Sequence, residues 1–79
     1  MAEIFDRVKK VVVDKLKVNE SQIEESSSFV EDLGADSLDV VDLVIGFEDE
    51  FDIQIPDEDS ASIKTVGDAV NYISGKMSN

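Results

Sequence analysis

Three stretches of this 79-residue chain repeat their apolar residues every three or four positions, and none alternates them for long enough to build a sheet. Residues 3–17 set Phe5, Val8, Val12 and Leu16 on one face with Ile4 and Val11 beside them, which predicts a first helix. Asp36, followed three residues on by Asp39, is a carboxylate form of the capping box, and Gly34 before it supplies backbone freedom for a tight turn. A second helix is predicted from Ser37 to Phe51. Thr65 with Asp68 marks the start of the last helix, where Val66, Ala69, Val70, Ile73 and Met77 share a face and Gly75 begins a frayed end. Between these, Asp57 is expected to cap a short third helix over 58–62. Ile53-Gln54-Ile55-Pro56 alternates only briefly; a lone segment makes no sheet, and Pro56 ends it, so it reads as a packed connector. Residues 18–36 keep no period, and a connection of that length needs pinning, which Val18, Ile23, Phe29, Val30 and Leu33 can supply. The predicted fold class is all-α, a small four-helix bundle of three longer helices and one short one, with a long loop between helices 1 and 2.

The residues that are missing narrow the chemistry. With no cysteine there is no disulfide framework and no thiolate metal site, and with no histidine the commonest remaining transition-metal ligand is absent. A reducing compartment is expected. The first seventeen residues mix charges with apolar positions and read neither as a signal peptide nor as a transit peptide. No run approaches the roughly 18 apolar residues of a membrane span, so membrane insertion is not expected. The length suits one small domain, residues 1–79, and a monomer.

The net charge of −12 is unevenly distributed: fifteen acidic residues and no Lys or Arg lie between Val18 and Ile63, whereas Met1 to Lys17 hold five basic and three acidic ones. Such a surface repels phosphate backbones and excludes direct nucleic-acid binding. A basic protein partner is the natural complement, although acidity also serves solubility. An EF-hand loop begun at Asp57 would put Ala61 at its fifth position and Ser62 where glycine is needed, so no dedicated metal site is expected, only diffuse divalent-ion binding.

At roughly 100° per residue, Val40, Leu43, Val44, Phe47 and Phe51 form the core stripe of the second helix. Leu38 and Ile45 lie opposite, flanked by Val41 and ringed by Asp39, Asp42, Glu48 and Asp49. An apolar strip inside an acidic rim has the make-up of a docking surface. Ser37 sits between the two faces. With no imidazole in the chain to take its proton, this serine is suited to being modified, not to attacking a substrate. The positive end of the helix dipole and free N–H groups favour an anion there, although Asp36-Ser37 is also ordinary capping chemistry.

Leu33-Gly34-Ala35-Asp36-Ser37-Leu38-Asp39, then Val41-Asp42-Leu43, Phe47-Glu48-Asp49-Glu50-Phe51, Ile55-Pro56-Asp57 and Thr65-Val66, in an acidic chain of this length, resemble the stand-alone acyl carrier proteins of bacterial and organellar fatty-acid synthesis. The resemblance covers nearly the whole chain and implies a single acyl-carrier domain that catalyses nothing. It implies a 4′-phosphopantetheine cofactor, placed on Ser37 by a phosphopantetheinyl transferase from coenzyme A, which carries the growing acyl chain as a thioester. Implied partners are malonyl transferase, ketoacyl synthases, ketoacyl and enoyl reductases, dehydratase and acyltransferases. By position, Asp36, Leu38, Asp39, Val41, Asp42, Ile45, Glu48 and Asp49 match the strip these enzymes read, and Asp57 matches a secondary acidic contact. Phe29, Val44, Phe47, Ile55 and Ile63 are the expected lining of an acyl pocket, though core packing accounts for each equally well. The implied location is the bacterial cytoplasm, or a plastid or mitochondrial matrix for a processed organellar form.

Two positions depart from the family pattern: Asp42 stands where glutamate is common, and Gly46 where a small helix former such as alanine is usual. Carriers of polyketide, aminoacyl or D-alanyl groups would share the modified serine. An acidic module that responds to divalent ions is the reading from another class.

Overall fold

Each of the three apolar repeats winds into a helix in the computed structural model, which describes residues 2–77. Helix α1 (Ala2–Leu16) buries Val8, Val11 and Val12 and half-buries Ile4, Phe5, Val13 and Leu16. It packs against both α2 (Ser37–Phe51) and α4 (Val66–Met77), with the short α3 (Asp57–Ser60) between those two in sequence. This is a small all-α bundle with a long loop after α1, as the spacing predicts.

The capping pattern that starts α2 is reciprocal. Asp39 N–H donates to Asp36 Oδ1 at 2.9 Å and Asp36 N–H donates to Asp39 Oδ2 at 3.2 Å. Leu43, Gly46, Phe47 and Phe51 are buried along the helix, and Val40 and Val44 are half-buried. At Gly46 α1 packs tightly on α2: a Cβ there would stand 2.8 Å from Val11 Cγ1 and 3.0 Å from Lys15 Cε. The approach is by side chains of α1.

The ends of the later helices differ from the sequence reading. Asp57 is the first residue of α3 and its side chain caps nothing. Pro56 holds the cap position in extended conformation (φ −60°, ψ 152°), and its carbonyl accepts the N–H groups of Asp59 and Ser60. Proline has no side-chain oxygen to offer the first turn, so this short helix begins without a side-chain cap. In α4, Thr65 Oγ1 accepts Asp68 N–H at 3.1 Å, and Asp68 Oδ2 accepts the N–H groups of Lys64 and Thr65, both at 3.1 Å. The helix then runs through Gly75 to Met77. Met77 is 45% exposed and leaves the core face, because the turn from Gly75 to Met77 lies in solvent.

The loop after α1 is held at both its flanks and its middle. A 3-10 turn at Glu20–Gln22 is followed by Ile23, Phe29, Leu33 and Ala35, all buried. Phe29 N–H donates to Lys64 O, Val66 N–H to Ser27 O and Gly67 N–H to Glu25 O at 2.8 Å, tying the loop to the α3–α4 connection and the first turn of α4. Gly67 permits this approach, since a Cβ would meet Glu25 O at 3.0 Å. Val30, expected to pin the loop, is 57% exposed. Its neighbour Phe29 takes the inward position instead, tilted against Phe47 with ring centroids 6.4 Å apart.

Candidate functional site

Ser37 is the first residue of α2, exposed to solvent, and its hydroxyl makes no hydrogen bond to any described residue. The first N–H groups of a helix have no partner within it. Here Asp39 N–H is taken by the Asp36 carboxylate and Val40 N–H by the Asp36 carbonyl, which leaves those of Ser37 and Leu38 free. An unencumbered hydroxyl beside two free donors fits a phosphodiester.

One turn further along α2, Val40 forms part of a cleft of about 490 Å³. Phe29 and Val30 of the loop and Ala61 and Ile63 after α3 complete its apolar wall, with Ser28, Ser60 and Thr65 among them and Glu31 and Lys64 as its charged residues. Of the predicted pocket residues, Phe29 and Ile63 border this cleft. Val44, Phe47 and Ile55 do not: Phe47 and Ile55 are in the core and Val44 is half-buried beside it, with Phe47 backing Phe29. Val30, Val40 and Ala61 escaped the sequence reading. Val40 carried a signal nonetheless, being three residues from Ser37 and hence on the same side of the helix.

The opposite side of α2 carries Leu38, Val41 and Ile45, which are 78%, 56% and 47% exposed and follow each other at three and four residues. Asp42 and Asp49 are exposed along the same helix, and Asp57 is exposed at the start of α3. The remaining acids of the strip already hold backbone: Asp36 and Asp39 cap α2, and Glu48 Oε2 accepts Ile55 N–H at 2.8 Å. Sequence reasoning missed this role of Glu48, which spans seven residues and depends on how the connector folds back.

A second hollow, of about 330 Å³, lies between α1 and α2 over Gly46 and is lined mainly by Lys10, Asp14, Lys15, Asp49 and Glu50. Among the described residues no three acidic side chains are grouped so as to hold a metal ion, and no helix is long and apolar enough to cross a membrane.

A free serine hydroxyl at a helix start, an apolar cleft one turn away and an apolar strip in an acidic rim are features that a carrier with an attached arm would need. The family described as "phosphopantetheine attachment site" matches residues 6–73. The acyl carrier protein of Wolinella succinogenes is 60% identical over 70 residues, which are 89% of this chain and 92% of the relative. The chain belongs to the acyl carrier proteins. It is a non-catalytic carrier of acyl chains in fatty-acid synthesis, and its cofactor is 4′-phosphopantetheine.

Proposed function

We propose that Ser37 Oγ is the attachment point of the phosphopantetheine arm, that the Val40 cleft shelters the acyl chain, and that Leu38, Val41 and Ile45 with Asp42, Asp49 and Asp57 dock the enzymes of chain elongation. When attached, the arm supplies the thiol this chain lacks, on which acyl groups are held as thioesters. The free N–H groups of Ser37 and Leu38, at the positive end of the helix dipole, would donate to the phosphodiester oxygens. Phe29, Val40, Ala61 and Ile63 keep water from the acyl methylenes, each of which gains about 0.8 kcal/mol on burial.

The observation that carries this reading is the free, exposed hydroxyl of Ser37 one turn from an apolar cleft. Docking works through the exposed strip. Negative charge along α2 speeds encounter with cationic patches, and the small apolar anchors keep complexes short-lived, as a carrier that visits many enzymes requires. The enzymes expected to read the strip are a phosphopantetheinyl transferase, malonyl transferase, ketoacyl synthases, ketoacyl and enoyl reductases, a dehydratase and acyltransferases. The chain acts as one monomeric domain, and the bacterial cytoplasm is its place of work.

Incubation with a phosphopantetheinyl transferase, magnesium and coenzyme A should add the mass of one phosphopantetheine group to the folded protein and nothing to Ser37→Ala. An unchanged mass for the parent protein, or a gain in the variant, would overturn the assignment. Malonyl, long-chain acyl and aminoacyl donors then separate a fatty-acid carrier from an amino-acid carrier, and rapid aminoacylation without malonyl transfer would reverse the choice.

A further inference from the structure

Helix α3 buries none of its own four residues. Its hydrogen bonds are almost all local: Ser60 Oγ donates to Asp57 O, Ser62 Oγ to Asp59 O, and Ala61 N–H to Asp57 O at 3.1 Å. Such an element opens easily, because little apolar area holds it down. Yet Ser60 and Ala61, at its end, form one side of the acyl cleft. Among the described residues a single side-chain hydrogen bond ties α3 to another helix. Tyr72 Oη of α4 donates to Asp59 Oδ2 at 2.6 Å, partly buried, and Lys76 Nζ lies 5.6 Å from the centre of the Tyr72 ring.

We propose that the Tyr72–Asp59 hydrogen bond is a latch that holds α3 over the cleft and thereby limits the length of acyl chain the cleft admits. Asp59 immediately precedes the wall residues Ser60 and Ala61, so a bond that fixes Asp59 fixes the wall. A hydrogen bond to a charged acceptor is among the stronger ones, and its partial burial shields it from competing water. With the latch closed, the cleft has the dimensions seen here. With it open, α3 swings on the connector between Ile55 and Ile63, whose buried side chains anchor the two flanks. Tyr72 itself is outside the cleft and is a positioning residue. The inference rests on the reading of the Val40 cleft as the acyl site.

The test uses the full chain in its phosphopantetheinylated form, with Tyr72→Phe, Asp59→Ala and the double variant. Tyr72→Phe keeps the ring and removes only the hydroxyl, and Asp59→Ala leaves the core untouched should the first variant fold poorly. Amide exchange at Ala61 and Ile63 should quicken about tenfold in each single variant and no further in the double one, while Ala69 in α4 keeps its parent rate. Loading with acyl groups from hexanoyl to hexadecanoyl should raise Tm up to a limiting length in the parent protein and up to a longer one in the variants. Unchanged exchange in α3, or the same limiting length throughout, would overturn the latch while leaving the cleft in place. If no acyl group raises Tm in the parent or in any variant, the cleft reading fails and the latch falls with it.

Discussion

Glu48 shows how one side chain can be claimed by two roles. It stands in the strip proposed for docking, but its carboxylate is also the acceptor for Ile55 N–H at 2.8 Å, partly buried. Glu48→Lys should therefore lose that bond and leave a donor unsatisfied, at a cost of about 1–3 kcal/mol, read as a fall in Tm. Asp49 is exposed and makes no such bond, so Asp49→Lys should slow partner enzymes at low salt while holding Tm near the parent value. Equal Tm losses in the two variants would contradict the distinction. Tyr72 provides a pH signature at the same scale. Desolvation first, and then its hydrogen bond to Asp59 and that carboxylate's charge, push its phenol from 10.0 up to about 12. The folded state thus holds its proton where the unfolded state has lost it. The contribution is complete below pH 10 and lost as pH rises through about 12, and denaturation midpoints taken across that window should fall more in the parent than in Tyr72→Phe.

At the scale of the element, α2 divides its circumference between a core stripe, the exposed Leu38–Val41–Ile45 strip proposed for docking, and Ser37. Its start depends on the Asp36–Asp39 box, so Asp36→Ala should cost about 1 kcal/mol in chemical denaturation. Gly46 sets how close α1 can come. Alanine would gain about 1 kcal/mol of helix propensity, but its Cβ would press on buried Val11 at 2.8 Å. Overpacking of this kind costs about 1–3 kcal/mol, so Gly46→Ala should lower Tm, and a clear rise would show that α1 shifts without strain. The sequence marked Gly46 as unusual for its place in the helix. Its reason is a neighbouring helix, which no spacing within α2 reveals.

Across the whole molecule, the described ion pairs all draw on α1: Arg7 with Glu50, and Lys9 with Asp6 and Glu20. Of the acids of α2 and α3, Glu50 alone has an ion pair among the described residues, so their like charges are offset little by cations. Raising ionic strength, with magnesium or calcium or with monovalent salt alone, should raise Tm, because screening shortens the reach of exposed charges to about 8 Å at physiological salt. As no acidic trio is grouped among the described residues, the rise should track ionic strength and not saturate at one ion per chain; one-to-one saturation would reveal a chelating site. The three longer helices, the boxes that start α2 and α4, and the exposed Leu38–Val41–Ile45 stripe were legible in the sequence, because capping and amphipathic periodicity act within a few residues, whereas the start of α3 at Pro56 was not. The cleft wall at Val30, Val40 and Ala61, the Glu48 clamp and the Tyr72–Asp59 bond were decided only by the tertiary structure. They join residues from separate elements, and which side chains meet there depends on how the long loop and the connector fold back on α2 and α4, a matter of packing that no local pattern encodes.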